Sequence, residues 1–159
     1  MPSAAKRAVK GISVLLVDDH PLWRDTLRKV LERKGFATVV AEAADAGEAL
    51  AAARASAPDV IVMDIQLPGA SGIDATRDLV SERPDVKVLV LASSDNRAQV
   101  VAAVEAGARG YLIKTAGSDD VRESVRRVHE GELVFPPALA SVVIDRLRGG
   151  DDGPADASR

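Results

Sequence analysis

Residues 12–20 read ISVLLVDDH, and residues 59–64 read DVIVMD. Each apolar run is short, rich in β-branched residues, and ends abruptly in aspartate: Asp18 and Asp19 in the first, Asp64 in the second. A continuous apolar run of this length is how a strand buried on both faces reads, as in a parallel sheet covered by helices. Three more such blocks occupy 38–43 (TVVAEA), 86–92 (VKVLVLA) and 110–114 (GYLIK). The block at 38–43 is the weakest, since Glu42 and its alanines suit the edge of a sheet better than its centre.

Segments with a period near 3.6 separate these blocks, at 21–34, 45–56, 71–82, 96–106 and 117–130. In the first, Leu22, Leu27, Val30 and Leu31 are expected on one buried face, with Pro21 in the opening turn and Gly35 at the stop. Asp45 and Ser71 suit helix N-caps. Val100, Val101 and Val104 are expected inward in the fourth helix, and Val121, Val125 and Val128 in the fifth. Five strands alternating with five helices predict an α/β fold: a five-stranded parallel doubly wound sheet with right-handed crossovers. The common order for such a sheet is 2-1-3-4-5. Residues 136–148, PPALASVVIDRLR, add a C-terminal sixth helix whose stripe is Leu139, Val142, Val143 and Leu147. Its own domain, a partner subunit or a further domain are the three candidates to cover that stripe.

The expected organisation is therefore a flexible tail at 1–11, a domain at 12–131, a linker helix extension at 132–148 and a disordered linker or tail at 149–159. A chain of 159 residues, 47% hydrophobic and 28% charged, suits one globular domain. The net charge is −3, and the basic leader (Lys6, Arg7, Lys10) leaves the remainder more acidic still. An acidic body argues against a nucleic-acid surface on this domain. Zero cysteines exclude disulfides, thiol catalysis and thiolate metal sites, and two histidines make zinc a poor expectation. No apolar run approaches the roughly 20 residues of a membrane helix, and the N-terminus lacks an apolar signal core.

Ligands of open α/β sheets bind beyond the carboxyl ends of the strands, where the strand order switches. In the order 2-1-3-4-5, strands 1 and 3 flank that point. Asp18, Asp19 and Asp64 are expected to converge there, with Lys114 after strand 5 approaching from the far side. Three close carboxylates repel, and a divalent cation relieves the repulsion. Oxygen-only ligands, with no Cys or His expected nearby, favour Mg²⁺, which keeps several waters and leaves room for a phosphoryl oxygen. A carboxylate beside such an ion can act as a nucleophile and form an acyl phosphate.

The segments VLLVDDHPLWRDTL, DVIVMDIQLPGASGID, VKVLVLAS and AGARGYLIK resemble, in order and spacing, the response-regulator receiver domain of two-component signalling over about residues 12–130. The DDHP start, Lys114-Thr115 and GELVFPPALASVVIDRL look like its NarL/FixJ (LuxR-type) subfamily. The resemblance implies that Asp64 takes a phosphoryl group from a sensor histidine kinase. It implies that Asp18 and Asp19 hold Mg²⁺, with the main-chain carbonyl of Gln66 as a further ligand. Lys114 would pair with the phosphoryl group, Pro68 and Gly72 would shape the loop after strand 3, and Tyr111 would be the aromatic switch. It further implies a cytoplasmic, homodimeric, non-enzymatic regulator of transcription that meets DNA only through a C-terminal domain absent from this chain.

One departure stands out. The family's Ser/Thr at the end of strand 4 falls on Ala92, which cannot hydrogen-bond a phosphoryl oxygen. Ser93 is adjacent, but successive strand side chains point to opposite faces. This leaves a phosphorylation-independent, pseudo-receiver interaction module as an alternative. A small aspartyl-phosphate phosphatase is a weaker one, because no cap insertion is evident. His20 reads as a helix-entry residue, Trp23 as packing or interface, and Arg122, Arg126 and Arg127 as a solvated helix face.

Overall fold

The computed structural model describes residues 11–149. Five strands are present: β1 (Ile12–Val17), β2 (Ala37–Ala43), β3 (Val60–Asp64), β4 (Val88–Ala92) and β5 (Gly110–Ile113). They form one sheet in the order β2-β1-β3-β4-β5, every pairing parallel. Five helices follow them in turn: α1 (Pro21–Glu32), α2 (Ala46–Ser56), α3 (Gly72–Glu82), α4 (Arg97–Ala106) and α5 (Ser118–His129). A sixth, α6, spans Ala140–Gly149 after a 3-10 turn at Pro137–Leu139. The strand order is the common one expected of a doubly wound sheet, and β2 lies at the edge, as the composition of its block suggests. The tail segments 1–10 and 150–159 lie outside the described residues.

The pleat divides the core into two clusters. Ile12, Val14, Leu16, Val60, Val62, Leu89 and Leu91 face Leu27 and Leu31 of α1 and the valine series of α5. Leu15, Val17, Ile61, Met63, Val88, Val90 and Ala92 face α2, α3 and α4 on the other side. Burial on both faces is why the strands read as continuous apolar runs. Caps mark the helix starts. Asp45 accepts from the Glu48 amide and Ser71 from the Asp74 amide, and the α4 cap is Asn96, accepting from Gln99. Gly107 closes α4 at φ +102, a left-handed conformation that suits glycine.

Several details differ from the sequence expectation. Leu22 is 78% exposed, and Trp23 takes its place against the core with Leu27, Val30 and Leu31. The helical period explains this, since five positions place Leu22 about 140° around from Leu27, whereas four bring Trp23 close to it. Helix α1 stops at Glu32, because Lys34 turns to a positive φ of 56° before Gly35. Val101 is only half-buried, and Ala103 packs inward instead. Arg122 is no solvated side chain: it donates to the Val30 carbonyl of α1 (3.1 Å) and pairs with Asp119, tying α5 to α1.

The extension is covered by its own domain. Val134 bridges to the free edge of β5, with Tyr111 N–H donating to the Val134 carbonyl (2.8 Å) and Val134 N–H to the Arg109 carbonyl (3.0 Å). Helix α6 then lies on α4, with Val143 in the core and Arg146 paired to Glu105 at 2.9 Å. The expected stripe is only partly used, as Leu147 and Ile144 stay about half exposed.

Gly72 fixes the link between β3 and α3. A Cβ there would lie 2.0 Å from the Asp64 carbonyl oxygen, so only glycine lets α3 press against the end of β3. Gly72→Ala is expected to lower unfolding stability by about 3 kcal/mol in urea titration. An unchanged midpoint would contradict the close approach.

Candidate functional site

The site lies at the carboxyl edge of the sheet. Asp18 continues β1 and its amide still donates to Ala43 of β2 (3.0 Å). Asp64 is the last residue of β3, and Lys114 follows β5 with its amide bonded to the Ala92 carbonyl (2.8 Å). Asp18, Asp64 and Lys114 thus extend the alternating positions of the face covered by α1 and α5. Remote segments are brought together by sheet register alone.

The structure does unite the expected residues. The Lys114 ammonium is 3.1 Å from Asp64 Oδ2 and 3.5 Å from Asp18 Oδ2, and both carboxylates are 2% exposed. Asp64 Oδ1 accepts from the Gln66 amide at 3.1 Å. Asp18 Oδ1 accepts from the His20 amide at 2.8 Å, so the aspartate braces the start of α1. His20 is the N-cap residue of that helix, as expected of a helix-entry position. Its ring nitrogen Nδ1 also lies 3.2 Å from Asp18 and 3.0 Å from Asp19, so a histidine stands beside the acidic cluster, contrary to the expectation of oxygen groups alone, because the turn into α1 folds it back over them.

Ligating atoms of Asp18, Asp19, His20 and Asp64 all fall within 4.8 Å of one another. Asp19 Oδ1 and Asp64 Oδ2 are buried and accept no well-directed hydrogen bond. The Lys114 ammonium faces two of these carboxylates, Asp18 and Asp64, while Asp19 Oδ1 has the His20 ring beside it, so the cluster is predominantly oxygen. Such a donor set fits a hard divalent cation such as Mg²⁺.

Burial is the main cause of a raised pKa at Asp64. The nearby Asp18 charge adds to it, while the Gln66 amide and Lys114 oppose it. Burial also pushes the Tyr111 hydroxyl up to about 12, with Asp95 contributing. Tyr111 stays protonated and points inward, donating to the Ser94 carbonyl at 2.6 Å, with Gln99 Oε1 at 3.1 Å. Ala92 and Tyr111 share the core cluster on the α4 side of the sheet. Ala92 is fully buried and β4 pairs with β3 and β5 in register through its end, while Ser93 is exposed.

Sequence reasoning overlooked the brace behind Asp18. Arg24 donates to the Asp18 carbonyl and, through Nε, to Glu42 Oε1 at 2.8 Å. Arg28, one turn further along α1, pairs with the same Glu42. The Glu42 carboxyl is held below its usual range chiefly by that Arg28 hydrogen bond. The signal is in the sequence: arginines four apart in α1, and a single charged residue in β2. In the sequence alone, Glu42 marks only the edge of the sheet.

This fold, with acidic side chains gathered at the carboxyl edge beside β1 and β3, is that of a signalling receiver domain. The chain belongs to the response regulator receiver domain family, whose model matches residues 14–126. It is the receiver domain of a LuxR-type two-component response regulator. The nitrate/nitrite response regulator protein homolog of Haemophilus influenzae is 32% identical over 146 residues, covering 92% of this chain and 69% of that protein. The transcriptional regulatory protein DegU of Brevibacillus brevis is 36% identical over 137 residues, and the match spans 86% of this chain but only 58% of DegU. The crystal structure of a LuxR-family two-component response regulator from an Aurantimonas species superposes with a TM-score of 0.78 at 35% identity, covering 86% of this chain and 98% of that one. Family membership does not favour the phosphatase reading. Among the described residues no helix is long and apolar enough to cross a membrane.

A raised carboxyl pKa has a definite linkage. The folded state binds the Asp64 proton more tightly than the unfolded chain, so this group's contribution to stability is fully present below the ordinary aspartate pKa and is lost as pH rises through the folded pKa. In metal-free buffer at pH 7, Asp64→Asn is expected to raise the urea midpoint of unfolding, because the buried charge is removed while Lys114 keeps Asp18 as a partner. The gain should shrink as pH falls toward the ordinary aspartate range. A variant less stable than the parent at pH 7 would reverse the assigned sign.

Proposed function

We propose that Asp64 is the phosphoacceptor of this domain and that a sensor histidine kinase is the donor. The observation that carries the reading is the Asp64 carboxylate itself, buried at the sheet edge with Oδ2 facing the Lys114 ammonium at 3.1 Å. A carboxylate oxygen attacks the phosphorus of a phosphohistidine and the P–N bond breaks. The imidazole leaves with the electron pair and takes up a proton, and Asp64 becomes an acyl phosphate. Lys114 stands where the phosphoryl charge arrives and offsets it. Asp18, Asp19, Asp64 and the Gln66 carbonyl are the groups that would hold Mg²⁺, which when bound supplies charge neutralisation for phosphoryl oxygens. Gly72 sets the loop that carries Gln66 by letting α3 close on Asp64.

Dimerisation or an attached DNA-binding domain is the output we assign, in a cytoplasmic setting. It is supported by relatives named as transcriptional regulators that are longer than this chain. Residues 12–131 would be the receiver proper, and 132–148 the linker that joins it to the output. The strap at Val134, whose carbonyl accepts from the Tyr111 amide, and the contact of α6 with α4 support that assignment.

Ala92 favours a second reading, in which the output surface is set without phosphorylation. Tyr111 is already inward and bonded to the loop after β4, and the buried methyl of Ala92 offers a phosphoryl group no hydrogen bond.

Incubation with acetyl phosphate and Mg²⁺, followed by intact mass measurement, is expected to show one phosphoryl adduct that Asp64→Asn abolishes. An adduct retained by that variant would remove Asp64 from the role. The absence of any adduct on the parent protein would favour the second reading. Ala92→Thr is expected to strengthen dimerisation upon phosphorylation, read by sedimentation velocity. Identical sedimentation of the phosphorylated parent and variant would count against the importance of Ala92.

A further inference from the structure

We infer that Trp23 is a positioning residue for Lys114, holding its ammonium over the indole face and so aiming it at the phosphoacceptor. The inference rests on the reading of Asp64 given above. Lys114 Nζ lies 5.8 Å from the Trp23 ring centroid, within the range at which a cation is attracted to an aromatic face. The same nitrogen is 3.1 Å from Asp64 and 3.5 Å from Asp18. The ammonium therefore sits between two carboxylates on one side and an aromatic ring on another.

Packing alone does not account for an indole at this position. Trp23 Nε1 is buried with no hydrogen-bond partner among the described residues, an unfavourable state for a polar group. Phenylalanine or leucine would fill the gap between α1 and the sheet without that penalty. What indole adds is the strongest π face of the natural side chains, and the group placed against that face is the Lys114 ammonium.

The placement matters because a lysine has a long, freely rotating stem. The side chain of Lys114 is 24% exposed, so solvent competes for its ammonium. A ring beside it removes part of that freedom. The charge is then held near Asp64 before a phosphoryl group arrives, which is preorganisation of an electrostatic partner. Trp23 touches neither phosphorus nor the attacking oxygen in this scheme and acts only through Lys114. Its own position is set by α1, whose first turn is tied to the site through the His20 amide and Asp18.

Trp23 is the single tryptophan of the chain, so fluorinated tryptophans can be introduced there alone by biosynthetic replacement. Fluorine drains the ring quadrupole with little change in shape. The rate of phosphoryl acceptance from acetyl phosphate is expected to fall stepwise from tryptophan to monofluoro- to multiply fluorinated tryptophan. Trp23→Leu should lose about fivefold, about 1 kcal/mol of activation free energy, and Trp23→Phe should fall between. In the unphosphorylated protein, Lys114→Gln is expected to alter the Trp23 emission intensity. Equal rates across the fluorinated series, in proteins of equal Tm, would overturn the inference while leaving Asp64 as acceptor. An emission unmoved by Lys114→Gln would overturn it as well. No adduct on the unsubstituted protein would instead defeat the underlying reading of Asp64.

Discussion

Like-charge repulsion at the carboxyl edge of the sheet is the constraint on which the rest of this domain depends. Asp18, Asp19 and Asp64 are held within a few ångströms, two of them almost wholly buried, and no isolated arrangement of that kind is favourable. The fold sustains it with fixed donors. The Gln66 amide, the His20 amide and the Lys114 ammonium each address a carboxylate oxygen, and Arg24 grips the main chain of Asp18 from behind. What remains uncompensated at Asp64 is the raised pKa that burial produces. A site balanced this way is ready to gain from any group that brings positive charge or removes negative charge.

The architecture supplies the rigidity that this balance requires. Strands buried on both faces cannot slip register without driving apolar side chains into the wrong layer. The positions of Asp18, Asp64 and Lys114 at three strand ends are therefore as exact as the sheet itself. The close seat of Gly72 on the Asp64 carbonyl and the Arg24–Glu42–Arg28 cluster extend that rigidity into the neighbouring helix and edge strand. Across the sheet from the charges, Tyr111, Ser94 and Gln99 tie β5 to the loop after β4. The site and the surface near α4 thus meet through the ends of β4 and β5, where Ala92 stands.

The extension after α5 shows how a local pattern can mislead about coverage. The stripe Leu139, Val142, Val143 and Leu147 reads as one face, yet only Val143 is fully buried, Leu139 packs against the core from its edge, and Leu147 stays about half exposed. The Val134 strap lies along β5, and Arg146 of α6 pairs with Glu105 of α4. Periodicity identifies an amphipathic helix without specifying which part of its face a neighbour will reach. The same limit applies to α1, where Leu22 belongs to the apolar count but points outward, and Trp23 packs instead.

Much of this protein was legible in its residues. Apolar runs ending in aspartate, helices bounded by Pro21, Asp45, Ser71 and Gly107, and the alternation of the two dictated a doubly wound parallel sheet, because burial on both faces and capping are local demands on composition. That sheet in turn implied that Asp18, Asp19, Asp64 and Lys114 would share one edge. Tertiary structure alone decided the contacts that join distant segments: Arg24 and Arg28 with Glu42, Arg122 with the Val30 carbonyl, Tyr111 with Ser94, and Lys114 with the ring of Trp23. Long polar side chains have many rotamers and few local constraints, so their partners are chosen by the packing of whole elements, which no stretch of sequence carries by itself.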